Sequence, residues 1–174
     1  GKYTGNLLYD NNSRHCKIKQ RAGKWHVVIG YENHPVRTAT WWGALEYCEY
    51  YGGSLPTEAQ WEYAARGGIY SRDYNYSGSD YPDMVGWTDD NSEDRLHEVG
   101  LLHPNELGFY DMTGNMREWT KDSYSDDYYA RSPKNNPCNR EQSGERSVRG
   151  AAYYSFTDWS DIYERTSEYV HETE

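Results

Sequence analysis

The chain has 174 residues and a formal net charge of -10 at pH 7, a balance that argues against a general phosphate-binding surface and so against nucleic acid as a partner. Its mean hydropathy is -1.13 and it contains no run of about 18 apolar residues, so no membrane span is expected. Val, Ile, Leu and Phe together make only about 12% of the chain, but aromatic residues make 16%, and disordered chains are poor in aromatics; a core of rings and small residues is expected.

The sequence opens Gly1-Lys2-Tyr3 without the apolar stretch of a signal peptide. Residues 1–40 read as loop with short strands, and Lys24 to Ile29 is β-type and stops at Gly30. Tyr31-Glu32-Asn33-His34-Pro35 is turn chemistry, and His34 and His103, each before a proline, read as turn residues rather than ligands. A helix is predicted over about Trp42–Tyr51, where Ala44, Leu45, Tyr47, Cys48 and Tyr51 recur at helical spacing and Gly52-Gly53 stop it. A second helix starts with a capping box, Thr57 as N-cap and Gln60 as its partner, and ends at Gly67-Gly68. From Gly68 to about Gly108 there is little periodicity. Phe109–Thr120 is a compact glycine-containing turn, 122–139 a polar, Tyr-dotted loop, and Ser147-Val148-Arg149-Gly150 leads into the C-terminal run 151–174. With no internal repeat and no linker, residues 1–174 read as one domain. Cys16, Cys48 and Cys138 are odd in number and widely spaced, with no CxxC and no zinc pattern; free thiols or a single disulfide both fit.

Four segments together resemble one family: Gly30 to Val36, Gly53 to Gly68, Asn105 to Trp119, and Ser147 to Gly150. In order and spacing they are similar to the formylglycine-generating-enzyme (sulfatase-modifying factor) domain, over roughly residues 16–165. The resemblance implies an α+β, C-type-lectin-like fold of the formylglycine-generating-enzyme subclass, with small antiparallel sheets, two main helices and much irregular loop. Enzymes of this family bind copper through two cysteines after an Arg-Gly-Gly-Ser motif. Here the motif reads Arg149-Gly150-Ala151-Ala152, and the two cysteine positions fall on Ser155 and Ser160. A hydroxyl cannot replace a soft thiolate for Cu(I), so no copper and no catalysis are expected. The related iron-dependent sulfoxide synthases need a histidine triad; the six histidines, at 15, 26, 34, 97, 103 and 171, are scattered.

The branch that displays a binding surface on this fold includes the variable proteins of diversity-generating retroelements, whose variable region follows the Arg-Gly motif. Adenine-directed mutagenesis there favours Tyr, Ser, Asp, Thr, Ala, Phe and His, and residues 151–169 are mostly of that set. By the same resemblance Arg165 falls where such proteins often keep a fixed arginine. Physics points the same way: Tyr and Trp supply contact area with few rotors to freeze, while Ser, Thr and Asp supply adaptable hydrogen bonds. The ligand-binding set is Tyr153, Tyr154, Ser155, Phe156, Asp158, Trp159, Asp161, Tyr163, Glu164, Thr166 and Tyr169. Asp158, Asp161 and Glu164 favour basic patches on a partner, expected to be a variable macromolecule, a protein at a cell surface. The competing reading makes these rings ordinary core, although only Ile162 and Val170 are aliphatic in that run. An enzyme of the same fold with an altered active site is the alternative function.

By the same resemblance Asp111, Gly114, Met116 and Glu118 lie at a structural calcium site, two carboxylates and two backbone carbonyls being suitable hard-oxygen ligands. A turn in which Asp111 and Glu118 bond backbone N–H groups is the other reading. The acidic pairs Asp89-Asp90, Glu93-Asp94 and Asp126-Asp127 are chance neighbours in an acidic chain rather than a glycosidase dyad. No Gln-Pro-Asp or Glu-Pro-Asn motif occurs, which argues against calcium-mediated sugar binding. A cell-surface, secreted or virion-associated location is expected, and oligomeric state is open.

Overall fold

The computed structural model describes residues 6, 8–10 and 12–171; the opening Gly1-Lys2-Tyr3 and the closing residues 172–174 lie outside them. A hairpin comes first, β1 (Ile18–Arg21) against β2 (Lys24–Val27), antiparallel with Ile18 opposite Val27. The second strand is the one expected at 24–29. The first carries no readable alternation: Ile18 and Lys19 are half-buried and Gln20 and Arg21 exposed, while all four β2 residues are exposed.

Helix α1 (Trp41–Tyr50) is capped by Thr40, whose side chain accepts from the Gly43 N–H. Helix α2 (Glu58–Ala65) has the expected capping box, with Thr57 and Gln60 bonding each other's backbone N–H groups. It stops where Gly67 turns left-handed at φ 85°. Strands β3 (Gly86–Trp87) and β4 (Thr113–Gly114) form a two-residue parallel pair. Gly114 is required there: its φ is 70°, and a Cβ would sit 2.1 Å from the Trp87 carbonyl oxygen.

The main sheet is antiparallel, in the order β5 (Glu118–Ser123), β6 (Glu145–Arg149), β7 (Thr166–Tyr169). A one-turn helix, α3 (Tyr128–Arg131), lies between β5 and β6. Central strand β6 ends at Arg149 and its neighbour β7 starts at Thr166, paired with Val148. Residues 150–165 are therefore one long excursion whose two ends are held at adjacent positions of the same sheet.

The core is built around tryptophans, as the composition suggests. Trp41, Leu45, Leu55, Trp119, Val148 and Val170 form one cluster, and Trp61, Ala65, Met112 and Ile162 a second. Each of the three indoles also finds an acceptor: Trp41 donates to the Thr120 carbonyl at 2.7 Å, Trp119 to the Ala39 carbonyl at 3.0 Å and Trp61 to Glu118 at 2.7 Å. Between the elements, buried polar side chains replace secondary structure. Asn105 accepts from Leu107 and Phe109 N–H groups and donates to the Ala64 carbonyl and Ser77 hydroxyl. That is how a 40-residue stretch without periodicity stays ordered.

Candidate functional site

The excursion 150–165 is locked from below. Glu58, in the first turn of α2, is 1% exposed, and its carboxylate is shared by two arginines. Arg165 reaches it from the end of the excursion, Nε to Oε1 at 2.7 Å and a second nitrogen to Oε2 at 2.9 Å. Arg149 reaches it from the last position of β6 at 3.5 Å, and also bonds Glu62 at 2.7 Å and the Ile162 carbonyl at 2.8 Å. Ser147 donates a further hydrogen bond to Glu58. Arg165 is wedged between the rings of Tyr124 and Tyr129 and bonds the Ser125 carbonyl. Nearby Asp122 is buried, and desolvation pushes its carboxyl up, against the pull of the Glu58 and Asn139 N–H groups that it accepts. Ala152, Ser160, Ile162 and Val170 are buried too, so the run 151–170 has an inner side made of small or aliphatic residues and an ion-paired arginine.

Its outer side carries the rings. Tyr154 is 44% exposed, Phe156 58%, Trp159 64% and Tyr163 44%, whereas Tyr153 is half-buried. Tyr153 lies under the Arg37 guanidinium and meets Tyr154 edge to face; the Tyr154 hydroxyl accepts from Arg117 at 2.6 Å. Phe156 precedes and Trp159 ends a short 3-10 turn, Thr157–Trp159, and their rings pack edge to face at 5.2 Å. Tyr163 lies under Arg66, 4.2 Å from guanidinium to ring centre. Asp158 and Glu164 are exposed.

Other members of the sequence-derived set serve the loop itself. The Ser155 hydroxyl accepts from the Ala152 N–H, and Asp161 accepts from the Tyr163 and Glu164 N–H groups, so both are turn holders. Thr166 opens β7, with its hydroxyl toward the Val148 carbonyl. Tyr169, 55% exposed, is at the other end of β7, about 10 Å along the strand, and does not join the cluster of rings.

The sequence reading missed Asp89 and Asp90. The Asp89 carboxylate accepts from the Thr157 N–H at 3.1 Å, and Asp90 accepts from the Thr157 hydroxyl at 2.6 Å. With Phe156, Thr157, Asp158 and Trp159 they line a depression of about 290 Å³. They are bonding partners of the excursion rather than a pair flanking a substrate. Nothing local in the sequence marks them, since residues 89 and 157 meet only in space. The Tyr76 hydroxyl beside this turn is pushed up by burial, then by the negative charges of Asp158 and Asp161.

At the candidate metal position, Asp111 adopts a left-handed φ of 56° and Gly114 one of 70°. One Asp111 carboxylate oxygen accepts from the Gly100 N–H at 2.8 Å; the other is buried with no hydrogen-bond partner. Glu118 is an exposed residue, and desolvation of its carboxyl where it meets the Trp61 indole pushes its pKa up to about 7. The Trp61 N–H opposes that rise and the Asp111 charge adds to it. Desolvation likewise raises Asp111. Two neighbouring carboxyls are thus held where their negative charge is poorly compensated. Among the described residues no group of three or more His, Cys, Asp or Glu side chains forms a metal cluster.

The sequence matches the sulfatase-modifying factor enzyme 1-like domain over residues 2–174. The chain belongs to that family. Its fold is the α+β, C-type-lectin-like fold of formylglycine-generating enzymes. Treponema denticola variable protein 1 superposes with a TM-score of 0.75 at 22% identity, covering 91% of this chain and 72% of that one. In sequence the chain is 36% identical to the serine/threonine-protein kinase pkn1 of Chlamydia pneumoniae over 90% of its own length and 25% of the relative's. It is 31% identical to the formylglycine-generating enzyme of Streptomyces coelicolor over 87% of its own length and 52% of that enzyme's. The chain therefore spans a quarter to about half of these relatives.

Membership sharpens the donor-set question for copper. At the family's two thiolate positions this chain has hydroxyls, and both are spent internally: Ser155 on the Ala152 N–H, Ser160 on the Phe156 carbonyl. These residues do not fit a Cu(I) centre. The orphaned Asp111 oxygen and the desolvated Glu118 carboxyl, by contrast, fit a hard cation.

Proposed function

We propose that this protein is a non-catalytic ligand-binding module that presents residues 151–169 as a diversified surface on the family scaffold. The observation that carries the reading is the two-sidedness of that segment. Ala152, Ser160, Ile162 and the Arg149–Glu58–Arg165 lock hold its inner side, while Tyr154, Phe156, Trp159 and Tyr163 face solvent. Side chains on the outer side can change without disturbing what holds the loop, which is what a surface subject to repeated substitution requires. The likeness to a protein named as a variable protein supports the reading at the level of fold. The partner proposed is a macromolecule, a protein at a cell surface, met by a secreted, surface-borne or virion-borne form of this chain. The formylglycine-generating enzymes among the relatives favour a second reading, an enzyme with an altered active site; the hydroxyls at 155 and 160 count against copper chemistry there.

We further propose that Asp111 and Glu118, with the Gly114 and Met116 carbonyls, hold a calcium ion that ties the 111–118 turn to β5. Its role is structural.

Sequencing this gene across a population of its source tests the main reading. Differences are expected to concentrate at adenine-containing codons of half-buried position 153 and the outward positions 154, 156, 158, 159 and 163. Arg149, Ile162 and Arg165 should stay constant. A segment as invariant as the rest of the chain would overturn diversification.

A further inference from the structure

We infer that the depression at the Thr157–Trp159 turn is the seat of a single arginine side chain presented by a basic segment of the partner protein. The inference rests on the reading of 151–169 as a binding face and deepens it by naming what one part of that face takes.

The site is a cavity of mixed character rather than a patch of acid. Two of its walls are the Phe156 and Trp159 rings, 58% and 64% exposed, set at 88° to each other. The molecule exposes many tyrosines, but these two rings differ in meeting each other at one concave point beside carboxylates. The rest of the lining is Asp89, Asp90, Thr157 and Asp158. Asp89 and Asp90 each use one carboxylate oxygen on Thr157, which fixes both groups against the turn. The Asp89 N–H in turn donates to the Ser155 carbonyl, so this acidic turn after β3 and the excursion hold each other. Asp158 is exposed. Among the described residues none of the three carboxylates is ion-paired to a basic side chain, and no lining residue is basic. The arginines of this face lie elsewhere, Arg117 on Tyr154 and Arg66 on Tyr163.

Volume and chemistry select the occupant. About 290 Å³ is at the small end of ligand pockets, room for one side chain and not for a helix or strand. Charge complementarity demands a cation. Ring faces beside carboxylates favour a guanidinium, which is planar, weakly hydrated and stacks on an indole while its edge N–H groups reach carboxylate oxygens; an ammonium is a compact, strongly hydrated point charge. Each surface contact is weak, so an isolated arginine should bind only in about the millimolar range and contribute as an anchor within a larger interface.

The test uses the whole chain and three Gly-Ser peptides that differ at one central residue, Arg, Lys or Gln, titrated while the Trp159 indole N–H resonance is followed. The Arg peptide should give saturable shifts at least about tenfold stronger in apparent affinity than the Gln peptide, weakening as NaCl screens the charges. Asp158→Asn should weaken it about five- to tenfold. Asp158 has no hydrogen bond among the described residues that the change could break, and unchanged thermal unfolding would confirm that the variant is folded. Trp159→Ala, followed instead through the Thr157 backbone N–H resonance, should abolish binding. No binding, equal binding of the Arg and Gln peptides, equal binding of the Lys peptide, or an unaffected Asp158→Asn variant would each overturn the assignment. Population sequencing judges the broader reading separately. Variable codons with no arginine response would leave the diversified face standing and remove this anchor. Invariant codons with a clear arginine response would do the reverse.

Discussion

On the inner side of residues 151–170, a carboxylate with 1% exposure is shared by two arginines, one of them wholly buried. On the outer side, a few residues along the same backbone, Phe156 and Trp159 pack edge to face on each other and look into water. Part of the usual arrangement is exchanged: an ion-paired cluster sits inside beside Ala152, Ile162 and Val170, and large rings sit outside beside Asp158 and Glu164. The reason lies in what each side must do. An ion-paired lock is intolerant of change: Glu58 is the carboxylate that Arg149 and Arg165 share, so losing it strips both at once. A rim of exposed rings is tolerant, because little else in the molecule depends on which ring is present. Residues that fix the backbone and exposed rings are thereby placed on opposite sides of one segment.

The largest break should come from Glu58. Glu58→Ala leaves Arg149 buried without its shared carboxylate and frees Arg165 from the scaffold. A loss of about 3–5 kcal/mol in urea unfolding is expected. A loss under about 1 kcal/mol would mean that the lock is ornamental and that the sheet alone holds the excursion.

The calcium proposal should show next. In chelated protein the folded state holds the Glu118 proton up to about pH 7, while the unfolded chain releases it near 4.5. The folded state therefore binds more protons between those values. Its stability should be full below about 4.5, decline as pH rises, and have lost this contribution above about 7. Calcium at a hundred times its dissociation constant should add about 2.7 kcal/mol at neutral pH and so oppose that decline. An unfolding temperature indifferent to calcium would leave Asp111 and Glu118 as residues of a plain turn.

The smallest effect is expected on the outer side. Phe156→Ser and Trp159→Ser should each change stability by no more than about 0.5 kcal/mol, while removing the walls of the depression. Unfolding of either variant would make those rings core, and the contrast between the two sides would collapse.

Much of this molecule could be read before its structure. The capping box at Thr57 and Gln60, the glycine stop at Gly67 and the four family segments are local signals, each complete within a few residues, and α2 lies where they place it. The hairpin strand Ile18–Arg21 and strand β7 escaped because neither shows an alternation between a buried and an exposed face. The segment proposed to bind was marked by its composition, while its surface was not legible. Nothing in the run 151–169 separates Tyr154, which faces solvent, from Ser160, which is buried, or Asp158, which is free of the turn, from Asp161, which caps it.

What the sequence determined by itself was family, fold and the place along the chain of the segment proposed as a binding face, because motifs, caps and composition are properties of neighbouring residues. What only the tertiary structure decided was which side of that segment each residue takes, that Glu58 is the common partner of Arg149 and Arg165, and that Asp89 and Asp90 join Trp159 across nearly seventy residues of chain. Those pairings follow from the sheet setting the two ends of the excursion side by side, and a contact made by closure of a long loop leaves no periodic trace in the residues that make it.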